Sequence, residues 1–332
     1  MTPRVNHRDG IHFDLDRLVV ADARSATGDV NIMSHAHADH TLRSGSGSRT
    51  VCCSPATAAI AETRTGRSFP FVESVPGIEL VPAGHVVGSR AAIIEDADGT
   101  RYCYTGDFST RDRAFLEGFD PSTVEADVLV METTYGHPRY RFPAQEALDA
   151  AICDWIADND DRPLLCFGYS LGRAQKLQWL ASEATDRPVL VSESIEDVNA
   201  AIESATDLTF PVEVYDRDAL DGLTDEIVVL PSNHARSDWV ERIVERTGAL
   251  KAGFSGWAVD DSFRYRGGYD VTFPLTDHCD FDELVATVRT IDPDVVYTQH
   301  GFDERFADAL ATEYGYTARP LKRDQLSLDE CG

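Results

Sequence analysis

The feature that most constrains this chain is a histidine-rich segment, Ser34–His40, with the sequence SHAHADH. It directly follows a short apolar run (VNIM), so the sequence predicts a strand whose end carries three imidazoles and a carboxylate. Alternate residues of an extended chain face the same way, which lets His35 and His37 approach one ion together. A turn after the strand would bring Asp39 and His40 to a second ion. Because Zn²⁺ prefers such nitrogen and oxygen ligands, the segment predicts a metal site.

Two ions need more ligands than this segment holds, and later parts of the chain offer them in a similar setting. His85, Asp107 and His300 each come after a predicted strand. A single histidine in a loop is usually solvated or packed in the core. The recurrence of one pattern, a ligand residue at the end of a strand, is what indicates a shared site on a rigid base.

The two halves of the chain differ in their predicted elements. Short strands are predicted first, at Val19–Val20, Val30–Met33, Ile78–Pro82, Ala91–Glu95, Tyr102–Thr105 and Val128–Met131. From about Pro143, strands alternate with helices of about ten residues, which is typical of parallel βαβ units in an α/β domain. The predicted helices there are Ala144–Ala157, Arg173–Ser182, Glu196–Ala205, Asp238–Arg246, Phe281–Ile291 and Phe302–Tyr314.

The charge of the chain is strongly negative. Asp and Glu total 57 against 30 Lys and Arg, a net charge of -27, and acidic residues are spread along the whole sequence. Three of the basic residues are lysines. This composition favours a surface adapted to high salt, where the Debye length falls to about 3 Å at 1 M. An ordinary acidic cytoplasmic protein is the alternative. At low salt such a charge would oppose nucleic-acid binding, but screening at molar salt weakens that objection.

The sequence also indicates a cellular compartment. No run approaches the roughly 18–20 apolar residues that a membrane span requires, and the first ten residues lack the apolar core of a signal peptide. The seven cysteines are scattered and odd in number, without a disulfide framework. We therefore expect a protein of the reducing cytoplasm with no membrane partner.

Taken together, the motifs resemble the metallo-β-lactamase fold and, more narrowly, its β-CASP branch of nucleases, which includes RNase J, the polyadenylation endonuclease and Artemis. The matching segments run from Asp22 to about Leu321: SHAHADH, PAGHVVGS, TGDFS, METTYG, GYSLGRAQKLQ, FSGW, LTDHCDF and QHG. The histidine motif indicates only the superfamily, whereas METTYG and TDHCDF indicate β-CASP nucleases. Within that branch the chain is similar to DNA-ligase-associated exonucleases and archaeal mRNA 3′-end processing factors.

The resemblance implies an α/β architecture, a metallo-β-lactamase αββα sandwich with an inserted β-CASP α/β cap domain. Residues 1–142 and 262–332 would form the sandwich, and residues 143–261 would form a cap over the metal cleft. It also implies two Zn²⁺ ions, with Mn²⁺ as an alternative metal. The implied ligands are His35, His37 and His85 for one ion, Asp39, His40 and His300 for the other, Asp107 as the bridge between them, and Asp22 as a carboxylate that orients the ligands.

The resemblance further implies a catalytic pair, and the residues of the cap themselves suggest substrate contacts. His278 would supply a proton to the leaving oxygen, and Glu132 would orient that histidine; as a bare observation, Glu132 could equally be an ordinary acid after a strand. In the cap, Tyr169, Ser170 and Arg173 open a predicted helix, where a backbone anion site and an aromatic face for base stacking would meet. A plain strand-to-helix turn is the alternative there.

The leading hypothesis is a metal-dependent nuclease, an exonuclease in DNA repair or RNA processing. Two alternatives are a small-ester or thioester hydrolase of the same superfamily and a non-catalytic processing scaffold. The cap-sized insertion and the Glu132/His278 pair argue against the first, and the complete ligand set argues against the second. RNA and DNA, either polarity, and exo- or endonucleolytic cleavage all remain consistent with the sequence, as do a DNA ligase or RNA-processing partner and a homodimer.

Overall fold

The computed structural model describes residues 4–43 and 49–321. Its strands, in chain order, are β1 (Val5–Arg8), β2 (Gly10–Asp14), β3 (Leu18–Ala21), β4 (Val30–Ile32), β5 (Val51–Cys52), β6 (Phe71–Val72), β7 (Ile78–Pro82), β8 (Arg90–Glu95), β9 (Arg101–Tyr104), β10 (Val128–Glu132), β11 (Leu164–Gly168), β12 (Val189–Val191), β13 (Glu213–Val214), β14 (Ile227–Pro231), β15 (Leu250–Phe254), β16 (Val271–Phe273), β17 (Val295–Gln299) and β18 (Ala318–Pro320). Its helices are α1 (Pro55–Thr65), α2 (Gln145–Asp158), α3 (Arg173–Ala184), α4 (Glu193–Ala205), α5 (Asp238–Thr247), α6 (Asp261–Gly267), α7 (Phe281–Ile291) and α8 (Asp303–Glu313).

These elements divide into two compact units. Unit 1 contains the described parts of residues 1–110, 118–139 and 278–332, and unit 2 contains residues 111–117 and 140–277. The second unit is thus inserted into the chain of the first. Residues 262–277, which the sequence placed with the C-terminal part of the sandwich, lie in unit 2, where β16 pairs with β15. The ends of the expected sandwich, residues 1–3 and 322–332, fall outside the described residues.

Unit 1 is built on two six-stranded sheets. One has the order β1-β2-β3-β4-β5-β6, and the other has the order β18-β17-β10-β9-β8-β7. Alternate residues of β10 face opposite sides: Val130 belongs to an apolar core shared by both sheets, whereas Leu129 and Met131 pack with helices α7 and α8. This layered arrangement, interrupted by an α/β insertion, confirms the expected fold class.

Unit 2 has one parallel sheet with the order β13-β12-β14-β11-β15-β16. Leu164 and Cys166 of β11 join one apolar cluster, and Leu165 and Phe167 join another. Both faces of the sheet are therefore covered, as parallel sheets require. The alternation of strands and helices predicted for this part of the chain is confirmed.

Most predicted elements occur within a few residues of their expected ends, but helix α1 was missed. Its start carries ordinary signals: the Ser54 hydroxyl accepts a hydrogen bond from Thr57 N at 3.1 Å, Pro55 occupies the first turn, and Gly66 ends the helix with φ 66°. Its alanine-rich sequence has a weak apolar periodicity, which explains the omission. Among the described residues, no helix is both long and apolar enough to cross a membrane.

Candidate metal centre

Four side chains of unit 1 converge on one point: His35, His37, His85 and Asp107 each offer a ligand atom, and these atoms lie within 4.8 Å of one another. The histidines at 35 and 37 follow β4, His85 lies between β7 and β8, and Asp107 follows β9. The ends of different strands therefore supply the four side chains of this cluster.

The separations between these atoms suit a tetrahedral metal. His85 Nε2 lies 3.0 Å from His37 Nδ1 and 3.7 Å from Asp107 Oδ2, and His35 Nε2 lies 3.6 Å from the same carboxylate oxygen. Zn–N bonds of about 2.0–2.1 Å at tetrahedral angles place donor atoms about 3.3 Å apart. Three imidazoles and a carboxylate at this spacing fit a divalent cation.

His35 shows which of its nitrogens is available to a metal. Its Nδ1 lies 2.9 Å from Ser34 Oγ, and that hydroxyl donates to Asp22 Oδ2 at 2.6 Å, so Nδ1 carries the ring proton. The opposite atom, Nε2, is buried and has no hydrogen-bond partner among the described residues. Burial and the neighbouring imidazoles hold the pKa of His35 well below its usual value. A neutral ring with an unused, buried lone pair is the form that binds a metal ion.

Asp22 organises the same region through its carboxylate. It accepts hydrogen bonds from Ser34 N at 2.7 Å and from the Tyr104 hydroxyl at 2.7 Å, and its Oδ2 lies 2.8 Å from His40 Nδ1. These contacts leave His40 Nε2 turned toward Asp107 at 3.8 Å. Tyr104 had not been singled out from the sequence, although its place in the alternating strand RYCYT could have indicated an inward side chain.

Asp39, His40 and His300, the residues expected to bind a second ion, lie farther from one another than the four side chains of the first cluster do. His40 Nε2 lies 3.8 Å from Asp39 Oδ2, and the ring centroids of His40 and His300 are 5.7 Å apart. Burial opposes the charge of His40, but the carboxylates of Asp107, Asp22 and Asp39 outweigh it and raise its pKa to about 10. Asp107 Oδ2 lies 3.6 Å from His35 Nε2, 3.7 Å from His85 Nε2 and 3.8 Å from His40 Nε2. From this position one carboxylate can serve two ions.

A histidine–carboxylate pair lies beside the cluster. His278 Nδ1 is 2.8 Å from Glu132 Oε1, and Glu132 Oε2 accepts from Thr134 N at 2.7 Å. Although burial raises the pKa of Glu132, its contacts with His278 and Thr134 lower it overall, so the carboxylate is ionised. The His278 ring lies 4.6 Å from that of His85, between centroids. The pair is therefore close to the metal ligands and fixed in orientation.

The three residues proposed for substrate binding, Tyr169, Ser170 and Arg173, lie in unit 2 at the start of α3. Tyr169 is 53% exposed. Arg173 is buried, donates to Asp277 Oδ2 at 3.0 Å and to Phe254 O at 3.1 Å, and places its guanidinium 4.2 Å from the Tyr169 ring. An exposed aromatic face backed by a cation suits base stacking, and the role of these residues stays a prediction.

No family model matches the chain. A protein from Opitutus terrae named "Probable DNA ligase" is 33% identical over 312 residues, which cover 90% of this chain and 29% of that protein. The chain thus spans less than a third of the length of this relative. An "RNase J-like protein" from Methanocaldococcus jannaschii is 33% identical over 29% of this chain and 23% of its own length. "Endoribonuclease ysh-1" from Neurospora crassa is 33% identical over 35% of this chain and 15% of its own length.

The fold has a counterpart among solved structures. A protein of unknown function from Enterococcus faecalis V583 superimposes with a TM-score of 0.61 at 16% identity, over 89% of this chain and 79% of that one. Identity this low shows a shared fold alone. The relatives similar in sequence, the two-sheet sandwich with its inserted α/β unit, and the motifs at its strand ends agree: the chain is similar to the β-CASP branch of the metallo-β-lactamase fold.

Proposed function

We propose that this chain is a two-metal nuclease that hydrolyses phosphodiester bonds, acting as an exonuclease in DNA repair or RNA processing. The observation that carries the proposal is the position of Asp107, whose Oδ2 lies 3.6–3.8 Å from the Nε2 atoms of His35, His85 and His40. A carboxylate close to three imidazoles can serve as a ligand to both ions of a pair, and such pairs catalyse phosphodiester hydrolysis. The names of the relatives, an RNase J-like protein, an endoribonuclease and a DNA ligase, support a nucleic-acid substrate.

The proposed ligands divide into two sets joined by Asp107. His35, His37 and His85 would hold one ion, and Asp39, His40 and His300 would hold the other, with Zn²⁺ or Mn²⁺ as the metal. When bound, such a pair supplies a water of lowered pKa and positive charge opposite the phosphate oxygens. Asp22 and Ser34 fix the ring orientations of His40 and His35 beforehand, so these nitrogens need no reorganisation.

His278 has the geometry of a proton donor to the leaving oxygen. Glu132 binds its Nδ1 at 2.8 Å, which leaves Nε2 as the atom that can give up a proton. Because Glu132 is itself held by Thr134 N, the imidazole is fixed in one tautomer and can return to the protonated form after each turnover. A small-ester hydrolase would have no need of this second pair, because the metal ligands alone provide hydrolytic chemistry.

DNA repair is the pathway that the Opitutus relative favours, because its name is that of a ligase. A DNA ligase acting on the same ends would be the corresponding partner. RNA processing is the second candidate, favoured by the RNase J-like and endoribonuclease relatives. The substrate can be decided by mapping the products of end-labelled single- and double-stranded DNA and RNA.

The proposal predicts about two divalent ions per folded chain, because seven candidate ligands exceed what one tetrahedral ion binds. Elemental analysis of desalted wild-type protein should give this ratio, together with cleavage of at least one labelled substrate in molar KCl. Asp107→Asn should reduce both the ratio and the activity while the circular dichroism spectrum is retained. A folded wild-type protein that reproducibly binds no metal would refute the proposal.

A further inference from the structure

The loop that carries His85 is in contact with buried hydroxyl groups. We call residues 83–89, which connect β7 to β8, the His85 loop. Ser54 and Thr57, at the start of α1, contact this loop from outside, and Ser89 is its last residue. All three hydroxyl-bearing side chains are buried, and the whole arrangement lies in unit 1. Polar groups of another element therefore contact the loop of a candidate metal ligand.

Two hydroxyls of α1 converge on one carbonyl group of the His85 loop. Ser54 Oγ donates to Gly88 O at 2.6 Å, and Thr57 Oγ1 donates to the same oxygen at 2.8 Å. A carbonyl oxygen has two lone pairs, so both hydrogen bonds can form at once. Because both side chains are buried, water has little access to replace either bond if it is lost. The Gly88 carbonyl is therefore held in one place by the helix.

The absence of a side chain at Gly88 allows the loop to approach the helix this closely. Gly88 has φ 84°, and an added Cβ would lie 2.7 Å from Thr57 N and 2.9 Å from Ser54 Oγ. Glycine is the residue that adopts such a backbone conformation at little cost. The loop backbone thus packs directly on the first turn of α1, so a change in that turn is transmitted to the loop.

Ser89 connects this anchor to His85. Its Oγ accepts from His85 N at 3.1 Å and from Val86 N at 3.2 Å, and its own N donates to Val86 O at 3.0 Å. Because Ser89 directly follows Gly88 in the chain, the bonds from α1 and the bonds within the loop act on consecutive residues. The backbone position of His85 therefore depends on where α1 holds Gly88.

The side chain of His85 has to be placed accurately. Its Nε2 lies 3.0 Å from His37 Nδ1 and 3.7 Å from Asp107 Oδ2, close to the spacing of donor atoms around one ion. Metal–ligand bonds stay within about 0.2 Å of their ideal lengths. A displacement of the His85 loop that exceeds this tolerance would therefore weaken the binding of an ion by the whole cluster.

We propose that Thr57 and Ser54 are positioning residues of the candidate metal centre, which hold the Gly88 carbonyl and thereby fix the place of His85 Nε2. The inference rests on the proposed function, because His85 is a ligand of the first proposed ion. Both hydroxyls act through the His85 loop and not as ligands. Helix α1, which the sequence did not predict, thus gains a role in metal binding.

Thr57→Val tests the proposal, because valine has nearly the shape of threonine and lacks the hydroxyl. Carbon atoms usually lie at least about 3.3 Å from a carbonyl oxygen, whereas Thr57 Oγ1 lies 2.8 Å from Gly88 O. The variant should therefore move the loop by roughly half an ångström. We expect Zn²⁺ to bind about 10–100-fold more weakly in competition with a chelator. The visible absorption of the Co²⁺-loaded protein should change as well, because it depends on ligand geometry.

Two matched variants separate positioning from the stability of the helix. Thr57→Ser keeps the hydroxyl and should bind Zn²⁺ like the wild type. Thr65→Val removes a hydroxyl of the same helix that donates to Ala61 O at 2.7 Å, within α1 itself. This control should also bind Zn²⁺ like the wild type, even if its melting temperature falls. Thermal melts of the chelator-treated proteins measure the stability of each variant independently of the metal.

Ser54→Gly removes the other hydroxyl and carries the same test if Thr57→Val does not fold. Glycine also serves as a helix N-cap, so most of the capping of α1 is retained. We expect this variant to lose Zn²⁺ affinity in the same range. A folded Thr57→Val or Ser54→Gly protein that binds Zn²⁺ like the wild type would overturn the proposal, as would an equal loss of affinity in Thr65→Val.

The outcomes separate this inference from the proposed function. Cleavage of nucleic acid by the wild type, together with unchanged Zn²⁺ affinity in Thr57→Val, refutes the positioning role and leaves the nuclease proposal standing. Zn²⁺ affinity that depends on the Thr57 hydroxyl, in a protein that cleaves no nucleic acid, refutes the nuclease proposal and leaves the positioning role standing.

Discussion

Two residues of the metal centre have backbone conformations that side chains other than glycine rarely adopt. Asp22 has φ 53° and His300 has φ 60°. Such conformations cost roughly 1–3 kcal/mol each and persist where the surroundings enforce them. At Asp22 the enforcing contacts are the hydrogen bonds to Ser34, His40 and Tyr104, so the strain and the ligand orientation have one cause.

Replacement of His278 by alanine should separate proton donation from metal binding. The imidazole is anchored by Glu132, and its removal leaves the cluster of His35, His37, His85 and Asp107 intact. We expect wild-type metal content and a fall in turnover of roughly 10²–10⁴-fold, the usual contribution of a general acid. Single-turnover rates and elemental analysis measure the two quantities. Stoichiometric loss of metal from His278→Ala would show that this histidine is a ligand instead.

The sequence predicted most candidate ligands because each one directly follows a strand, where the backbone fixes its place. Tyr104 does not follow a strand but lies within β9, so the same reasoning indicates at most that its side chain points inward. Its contact with Asp22 joins residues 82 positions apart in the sequence. A contact between such distant segments leaves no local pattern in the sequence.

At the scale of single elements, the turn after β9 is held in place by a glycine. Gly106 has φ 55°, and an added Cβ would lie 2.7 Å from Ser34 Cβ and Oγ. Gly106→Ala should therefore displace the hydroxyl that holds Asp22 and His35. Groups that orient metal ligands typically contribute about 10–100-fold in metal affinity, and we expect a loss in that range from chelator competition.

The control for this variant is Gly99→Ala. Gly99 also has a positive φ, 86°, but an added Cβ would meet nothing within 4 Å. Both variants carry the backbone strain, and only Gly106→Ala carries the collision. Equal metal affinities for the two would show that Ser34 does not position the centre.

Helix α3 carries a buried lysine whose charge the fold opposes. Burial and the nearby Arg113 lower the pKa of Lys176 to about 8, although Asp149 Oδ1 lies 3.2 Å from its Nζ. A base with a lowered pKa binds fewer protons when folded than when unfolded, so stability rises with pH between about 8 and the usual value of about 10.4. The gain should reach about 3 kcal/mol at most, at 1.36 kcal/mol for each pKa unit.

Urea unfolding of the wild type and of Lys176→Met isolates this contribution. The measurements should run from about pH 7.5 to about pH 10.5, a range that includes both the folded and the usual pKa of the lysine. The free energy of unfolding of the wild type should rise relative to that of the variant as the pH increases. A difference that stays constant over this range would mean that Lys176 remains charged in the folded protein.

For the whole molecule, the net charge of -27 predicts a dependence on salt. Like charges repel over about 10 Å at 0.1 M salt but over only about 3 Å at 1 M. We expect the melting temperature to rise from low to molar KCl, and substrate affinity to decline slowly beyond that, because phosphate binding weakens with salt. Thermal melts and initial rates at stepped KCl separate the two effects. A melting temperature that is flat or falls would contradict adaptation to high salt.

Because unit 2 is inserted into the chain of unit 1, the residues of the candidate metal centre are synthesised in two separate stages. Strand β10 lies between β9 and β17 in its sheet, yet the whole of residues 140–277 is synthesised between β10 and β17. Until then, the edge of β10 that later pairs with β17 has no partner, and neither His278 nor His300 has left the exit tunnel. A nascent chain can thus gather the first six candidate ligands early but acquires His278 and the last candidate ligand, His300, only after unit 2 has been synthesised. The candidate site therefore stays incomplete until the chain has been synthesised beyond residue 300.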